Sequence, residues 1–282
     1  MKVLSYKVAG KATYGVATDE GVIDAGKRLG GKYADLRAVF DADAFDELRS
    51  ATEGQSPDSA LSDISFLPVL PNPDKILMVG LNYKAHRDEA GRDPAAHPSI
   101  FVRFPDSQIG HGADIIRPKA SDRLDYEGEL AVIIGKGGRH ISQADALSHV
   151  AGYSCYNDGS VRDFQRHTTQ WTPGKNFVGT GAFGPWMVTA DEIPDPQALH
   201  LQTRLNGQVM QDTDLDLMLF PVVEIIEYCS TFCNLVPGDV IVSGTPGGVG
   251  YARETPVFMK PGDICEIDIS EVGVLSNGIV DE

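Results

Sequence analysis

The sequence predicts an α+β protein dominated by strands: a mixed β-roll or barrel following a small N-terminal α/β segment. Three observations lead there. From Lys75 onward, nine strand-length segments alternate with Gly- and Pro-containing turns. Only three stretches in that region have helical spacing, too few for alternating βα units. And Leu130–Ile134 is an unbroken apolar run, typical of a strand buried on both faces.

Taken in order, Val3–Tyr6, Thr13–Val16 and Gly21–Asp24 read as strands joined by Gly and polar turns. Tyr33 to Ser50 carries Leu36, Val39, Phe40, Phe45 and Leu48 at roughly helical spacing, which predicts one helix. A polar loop from Thr52 and a Pro-punctuated stretch, Pro68 to Pro73, then mark a linker. The predicted division is residues 1–70 and 71–282. Strands are expected at Lys75–Val79, Ile100–Arg103, Glu127–Ile134, Gly152–Tyr156, Trp186–Thr189, Leu199–Leu205, Val240–Ser243, Val257–Met259 and Cys265–Ile269. Helices are expected at Tyr83–Gly91, at Ser142–His149 behind a Ser cap, and at Leu217–Cys233 with an allowance for Pro221.

The chain of 282 residues sets 24 Lys and Arg against 40 Asp and Glu, a formal charge of −16. Nucleic acid and anionic membranes both demand basic clusters, so neither is expected as a partner. An anionic substrate would need a bound cation or local Lys/Arg to offset the repulsive field. No apolar run reaches membrane-spanning length, and the N-terminus lacks a signal-peptide core. Cys155, Cys229, Cys233 and Cys265 are too few and too scattered for a disulfide framework, which suits a reducing, cytoplasmic setting.

Four segments can carry chemistry. In a strand, Glu127 and Glu129 point to the same face about 7 Å apart. Two such carboxylates must be solvated, share a proton or hold a cation. The apolar run that follows them argues against a solvated edge. Asp158 adds a third acid where a strand ends near Asn157, with Arg162 and Gln165 following at i+4 and i+7; a simple helix cap is the alternative reading. Three carboxylates suit a hard divalent ion, Mg²⁺ or Mn²⁺, better than zinc. His86 and Glu89 stand at i and i+3 on a short polar helix, where a carboxylate can orient an imidazole as a base. Gly244 to Gly250 is a Gly-dense loop after a strand, able to present backbone N–H groups to a ligand or simply to turn tightly.

Two apparent motifs are rejected. Gly179-x-Gly181-x-x-Gly184 fits the dinucleotide fingerprint by letter, but it runs into the strand-like Pro185–Thr189 instead of opening a helix. No Gly-x-Ser-x-Gly nucleophile elbow is present.

Together these segments resemble the fumarylacetoacetate hydrolase superfamily. The resemblance is carried by Asn82-Tyr83…His86…Glu89, Asp125-Tyr-Glu127-Gly-Glu129-Leu, Asn157-Asp158…Arg162-Asp163…Gln165, Gly174-Lys175, Gly184-Pro185-Trp186, Asn206-Gly207…Gln211, Pro237-Gly238-Asp239 and Gly244-Thr-Pro-Gly-Gly-Val-Gly250. It runs from about Pro73 to the C-terminus. The resemblance implies a β-roll catalytic domain assembled as a homodimer, with Glu127, Glu129 and Asp158 ligating Mg²⁺ or Mn²⁺. It also implies a water-activating dyad of His86 and Glu89 on a lid, an oxyanion- or enolate-stabilising Lys175, and substrate contacts from Arg162, Gln165, Thr245 and Tyr83.

The implied activity is metal-dependent C–C hydrolysis of a 2,4-dioxo acid, such as an acylpyruvate, to pyruvate and a carboxylic acid. A lyase on the same scaffold (oxaloacetate decarboxylase, hydratase, dehydratase or isomerase) is the alternative, and a non-catalytic binding protein the third reading. The chain departs from the pattern at Val178, where an Asp is common, at Arg103 in place of Lys, and at Asp106. With the polar stretch Arg166–Trp171, these changes suggest a hydroxylated distal end, as in a 2,4-dioxo-3-deoxy sugar acid.

Overall fold

The computed structural model describes residues 1–282 and is strand-dominated α+β. Its main sheet runs edge to edge through Gly21–Asp24, Lys11–Thr18, Lys2–Val8, Gly181–Thr189, Val150–Asp158, Gly128–Ile134, Val240–Val242, Ile76–Gly80 and Ser99–Arg103. A second sheet of five strands packs on it: Gln208–Asp214, His200–Leu205, Ile264–Ile269, Gly273–Asp281 and Ile115–Arg117. The side chains between the two sheets form the larger core. All seven residues of Gly128–Ile134 are buried, as the apolar run requires, because this strand lies between Val150–Asp158 and Val240–Val242 in the middle of the sheet.

Residues 1–70 do not stand apart. Lys2 and Val3 pair with Val188 and Met187, so the N-terminal strands extend the main sheet. Val69 and Leu70, in the expected linker, are buried and share a core with Ile133, Phe183 and Val240.

The structure corrects several expectations. The helix expected over Tyr33–Ser50 is two, Leu36–Asp41 and Phe45–Thr52. Asp43 between them takes the left-handed conformation (φ 50°), which turns the chain so that the rings of Phe40 and Phe45 meet edge to face at 4.7 Å. Val257–Met259 is not a strand, because its N–H groups reach single acceptors in different segments, Gly250 and Leu124. Gln208–Asp214 and Gly273–Asp281 form strands that composition concealed. The first is a polar sheet edge, and the second contains Asn277, whose buried amide donates to the carbonyls of Gly110 and Ala113. The third helix begins only at Val222, after Pro221. No helix is long and apolar enough to cross a membrane.

Candidate active site

The strand Gly128–Ile134 and its neighbour Val150–Asp158 bring the acids together at one end of the sheet. Gly128 pairs with Asn157, and the Asn157 amide oxygen accepts the Glu127 N–H at 3.0 Å. Glu127, Glu129 and Asp158 are buried, with one carboxylate oxygen of each lying within 4.8 Å of the others. Asp158 is the last residue of its strand; the helix that follows, Arg162–Gln165, starts four residues later, so the helix-cap alternative does not hold.

Cations are built into this cluster. Lys175 Nζ donates to Glu127 Oε2 at 2.6 Å and Asp158 Oδ2 at 2.5 Å. Arg162 bridges Asp125 Oδ2 (2.8 Å) and Glu127 Oε1 (2.6 Å). Arg103, with no exposed side-chain surface, meets Asp158 Oδ1 at 2.5 Å and also donates to Gly159 O, Thr180 Oγ1 and Ser107 Oγ. Four buried carboxylates thus face three cations, and the uncompensated charge falls on Glu129, whose one hydrogen bond comes from Gly244 N–H at 2.7 Å. Burial favours the neutral form of Glu127, but Lys175 and Arg162 outweigh it and hold this carboxyl well below its ordinary range. Burial, then the charges of Asp158 and Glu127, push Glu129 well above it.

An all-oxygen donor set with an unbalanced carboxylate is what a hard divalent cation requires, so these residues fit such an ion.

The Gly-dense loop presents N–H groups as expected, but the recipients are the site's own acids. Gly244 N–H holds Glu129, Gly248 N–H holds Glu89 Oε2 at 2.9 Å, and those of Gly250 and Tyr251 hold Asp125, each at 2.9 Å. Glu89 Oε1 in turn lies 2.8 Å from His86 Nδ1. His86 Nε2 is left without a protein partner, and His86 lines a cavity of ≈140 Å³ together with Glu127, Glu129, Arg162, Gln165 and Lys175.

Two expected substrate contacts look different in three dimensions. Thr245 reaches the cavity, but its hydroxyl donates to Gly128 O (3.0 Å) and accepts from Gln211 Nε2 (2.7 Å), so it has no proton left for a substrate carboxylate. Tyr83 does not line the cavity; its ring belongs to the apolar core and its buried hydroxyl has no partner. Arg162 keeps one donor, Nη2, buried and unpartnered.

Arg103 and Asp106, expected near the substrate's distal end, are not there: Arg103 sits behind Asp158, and Asp106 is exposed outside the cavity. The role of Arg103 escaped sequence reasoning. A signal for it lay in the rejected glycine motif, since a Cβ on Gly181 would come 2.7 Å from the Arg103 guanidinium. That segment is indeed strand, Gly181–Thr189.

Residues 75–280 match the family described as fumarylacetoacetate (FAA) hydrolase C-terminal. The chain belongs to the fumarylacetoacetate hydrolase family. Curated relatives of this family member include the mitochondrial oxaloacetate tautomerase of Bos taurus, 41% identical over 235 residues (83% of this chain, 75% of the relative), and a human counterpart, 41% identical over 234 residues (82% and 74%). Among solved structures, the fumarylacetoacetate hydrolase of Exiguobacterium antarcticum superposes with a TM-score of 0.84 at 33% identity, covering 100% of both chains. The maleylpyruvate hydrolase of a Sphingobium species, in complex with manganese(II) and pyruvate, does so at 0.83 and 26%, covering 100% of this chain and 99% of that one.

Proposed function

We propose that this protein catalyses keto–enol chemistry on a small 2-oxo acid, with tautomerisation of oxaloacetate as the best-fitting reaction. The observation that carries the reading is the His86–Glu89 pair, which leaves Nε2 free beside the carboxylate cluster in a cavity of ≈140 Å³. That volume lies well below the roughly 300–1,000 Å³ of drug-sized pockets and suits an acid of a few carbons. The curated relatives named oxaloacetate tautomerase support the same choice.

Tautomerisation moves one proton between C3 and the C2 oxygen. His86 Nε2 takes it from one position and returns it to the other, while Glu89 holds the ring and stabilises its protonated form. Arg162 Nη2 and Gln165 meet the acid end. Lys175 and Arg103 hold the carboxyl groups of Glu127 and Asp158 in place. A Mg²⁺ or Mn²⁺ ion held by Glu127, Glu129 and Asp158 would supply Lewis-acid polarisation of the 2-oxo group.

Hydrolysis of a 2,4-dioxo acid is the second reading, favoured by the same free Nε2, which can instead take a proton from water, and by the maleylpyruvate hydrolase among the solved relatives. One experiment separates them: enol loss from oxaloacetate followed by ultraviolet absorbance, beside pyruvate release from acetylpyruvate, each with Mg²⁺ and with EDTA. The proposal expects EDTA-sensitive enol loss, reduced about 10²–10⁴-fold in His86→Ala. Fast pyruvate release with oxaloacetate left untouched would replace it by hydrolysis.

A further inference from the structure

Away from the carboxylate cluster, the mouth of the cavity is cationic. Arg166 follows the one-turn helix Arg162–Gln165, and its guanidinium carbon lies 4.3 Å from the centre of the Tyr251 ring. Arg92 lies on the other wall, just past the helix that carries His86 and Glu89; its N–H donates to Arg87 O at 3.1 Å, which ties it to that helix. Arg162 spends its charge on Asp125 and Glu127, whereas neither rim arginine has a carboxylate within ion-pair distance. The acids that line the cavity, Glu127 and Glu129, both belong to the inner cluster, and no other acid lines it.

We propose that Arg166 and Arg92 form a clamp for a second, distal carboxylate, so that the site selects 2-oxo acids that are acidic at both ends. This deepens the reading given above and rests on it for the orientation of the substrate. A guanidinium recognises a carboxylate through paired N–H donors. An exposed ion pair is ordinarily weak because two mobile side chains must be ordered. Stacking on Tyr251 removes part of that cost at Arg166 before the ligand arrives. The clamp also gives an acidic substrate a local attractive field within a chain of charge −16. A polyhydroxylated tail, by contrast, would find at the rim the single hydroxyl of Thr168 and the phenol of Tyr251, and no acid to accept its protons.

The test uses the intact protein in Mg²⁺ and reads binding through Trp171, which lines the cavity. Oxaloacetate and pyruvate share the 2-oxo acid head and differ in the distal carboxylate. Wild type should bind oxaloacetate at least about tenfold more tightly than pyruvate. Arg166→Met should remove most of that preference without changing pyruvate affinity, Arg166→Lys should restore part of it, and Arg92→Met should act in the same direction. In turnover, Arg166→Met should raise KM for oxaloacetate about tenfold with kcat within about threefold. A wild-type preference near one, or an equal loss of both ligands in Arg166→Met, overturns the clamp. The two proposals fail separately. If no 2-oxo acid is converted, the assigned reaction is wrong and the binding ratio still tests the clamp. If oxaloacetate is converted and Arg166→Met keeps its KM, the clamp is wrong and the reaction stands.

Discussion

Replacing Arg103 by Met tests whether the cation behind Asp158 is structural support for the site. Both side chains are fully buried, with Nη1 2.5 Å from Oδ1. Met fills similar space, so little cavity forms, but Asp158 keeps only Lys175 as a counter-charge and Gly159 O loses its donor. Removing one partner of a buried ion pair costs about 3–5 kcal/mol. That is a large share of the roughly 5–15 kcal/mol by which a domain is stable. Arg103→Lys retains the charge but cannot serve acceptors on four residues, so about 1–3 kcal/mol is expected. Urea unfolding in EDTA, followed by circular dichroism, measures both. In Arg103→Met/Asp158→Asn, where the stranded charge is gone, the loss should fall short of the sum of the single losses by more than about 1 kcal/mol. An Arg103→Met loss below about 1 kcal/mol, or strict additivity in the double variant, would show that the pair does not carry the site.

Two further outcomes follow from the charge distribution. Glu129 carries the unbalanced charge, so Glu129→Gln should leave the EDTA-treated protein as stable as wild type or more so. It should also abolish the Mg²⁺-induced rise in Tm, which at 100 times Kd corresponds to about 2.7 kcal/mol in wild type; a Mg²⁺ shift that persists in the variant excludes Glu129 as a ligand. His111 packs edge-on against Phe66 at 4.9 Å and accepts the Ser276 N–H at Nδ1, and burial lowers its pKa below the usual 6.5. The unfolded chain therefore binds this proton first as pH falls. Stability is intact above about pH 6.5 and declines below it, by at most about 1.4 kcal/mol per pH unit from this residue. His111→Asn should flatten that decline between pH 7.5 and 5.5; unfolding midpoints that fall equally in both proteins would rule the residue out.

Much of the fold was legible because it rests on local pattern. The apolar run Leu130–Ile134 announced a central strand, the Gly/Pro spacing announced a strand-rich chain, and Pro185–Thr189 disqualified the false dinucleotide motif. What failed locally failed for a long-range reason. Asp43 splits a helix so that Phe40 and Phe45 can pack, and the strand Gly273–Asp281 was not expected, because it buries the polar Asn277, whose amide protons go to Gly110 and Ala113.

By itself the sequence determined which residue types are available: three acids at the ends of two strands, a His and a Glu one helical turn apart, and a glycine loop rich in N–H donors. Only the tertiary structure decided their partners. Arg103 and Asp158 are separated by 55 positions, Glu89 and the Gly248 N–H by 159, and Gln211 and Thr245 by 34. The role of a charged or polar group depends on what lies within hydrogen-bond distance after burial, and the chain encodes that only through the packing of two sheets. Hence one arginine became the support of an acid, another a bridge between acids, and a third was left free at the cavity mouth.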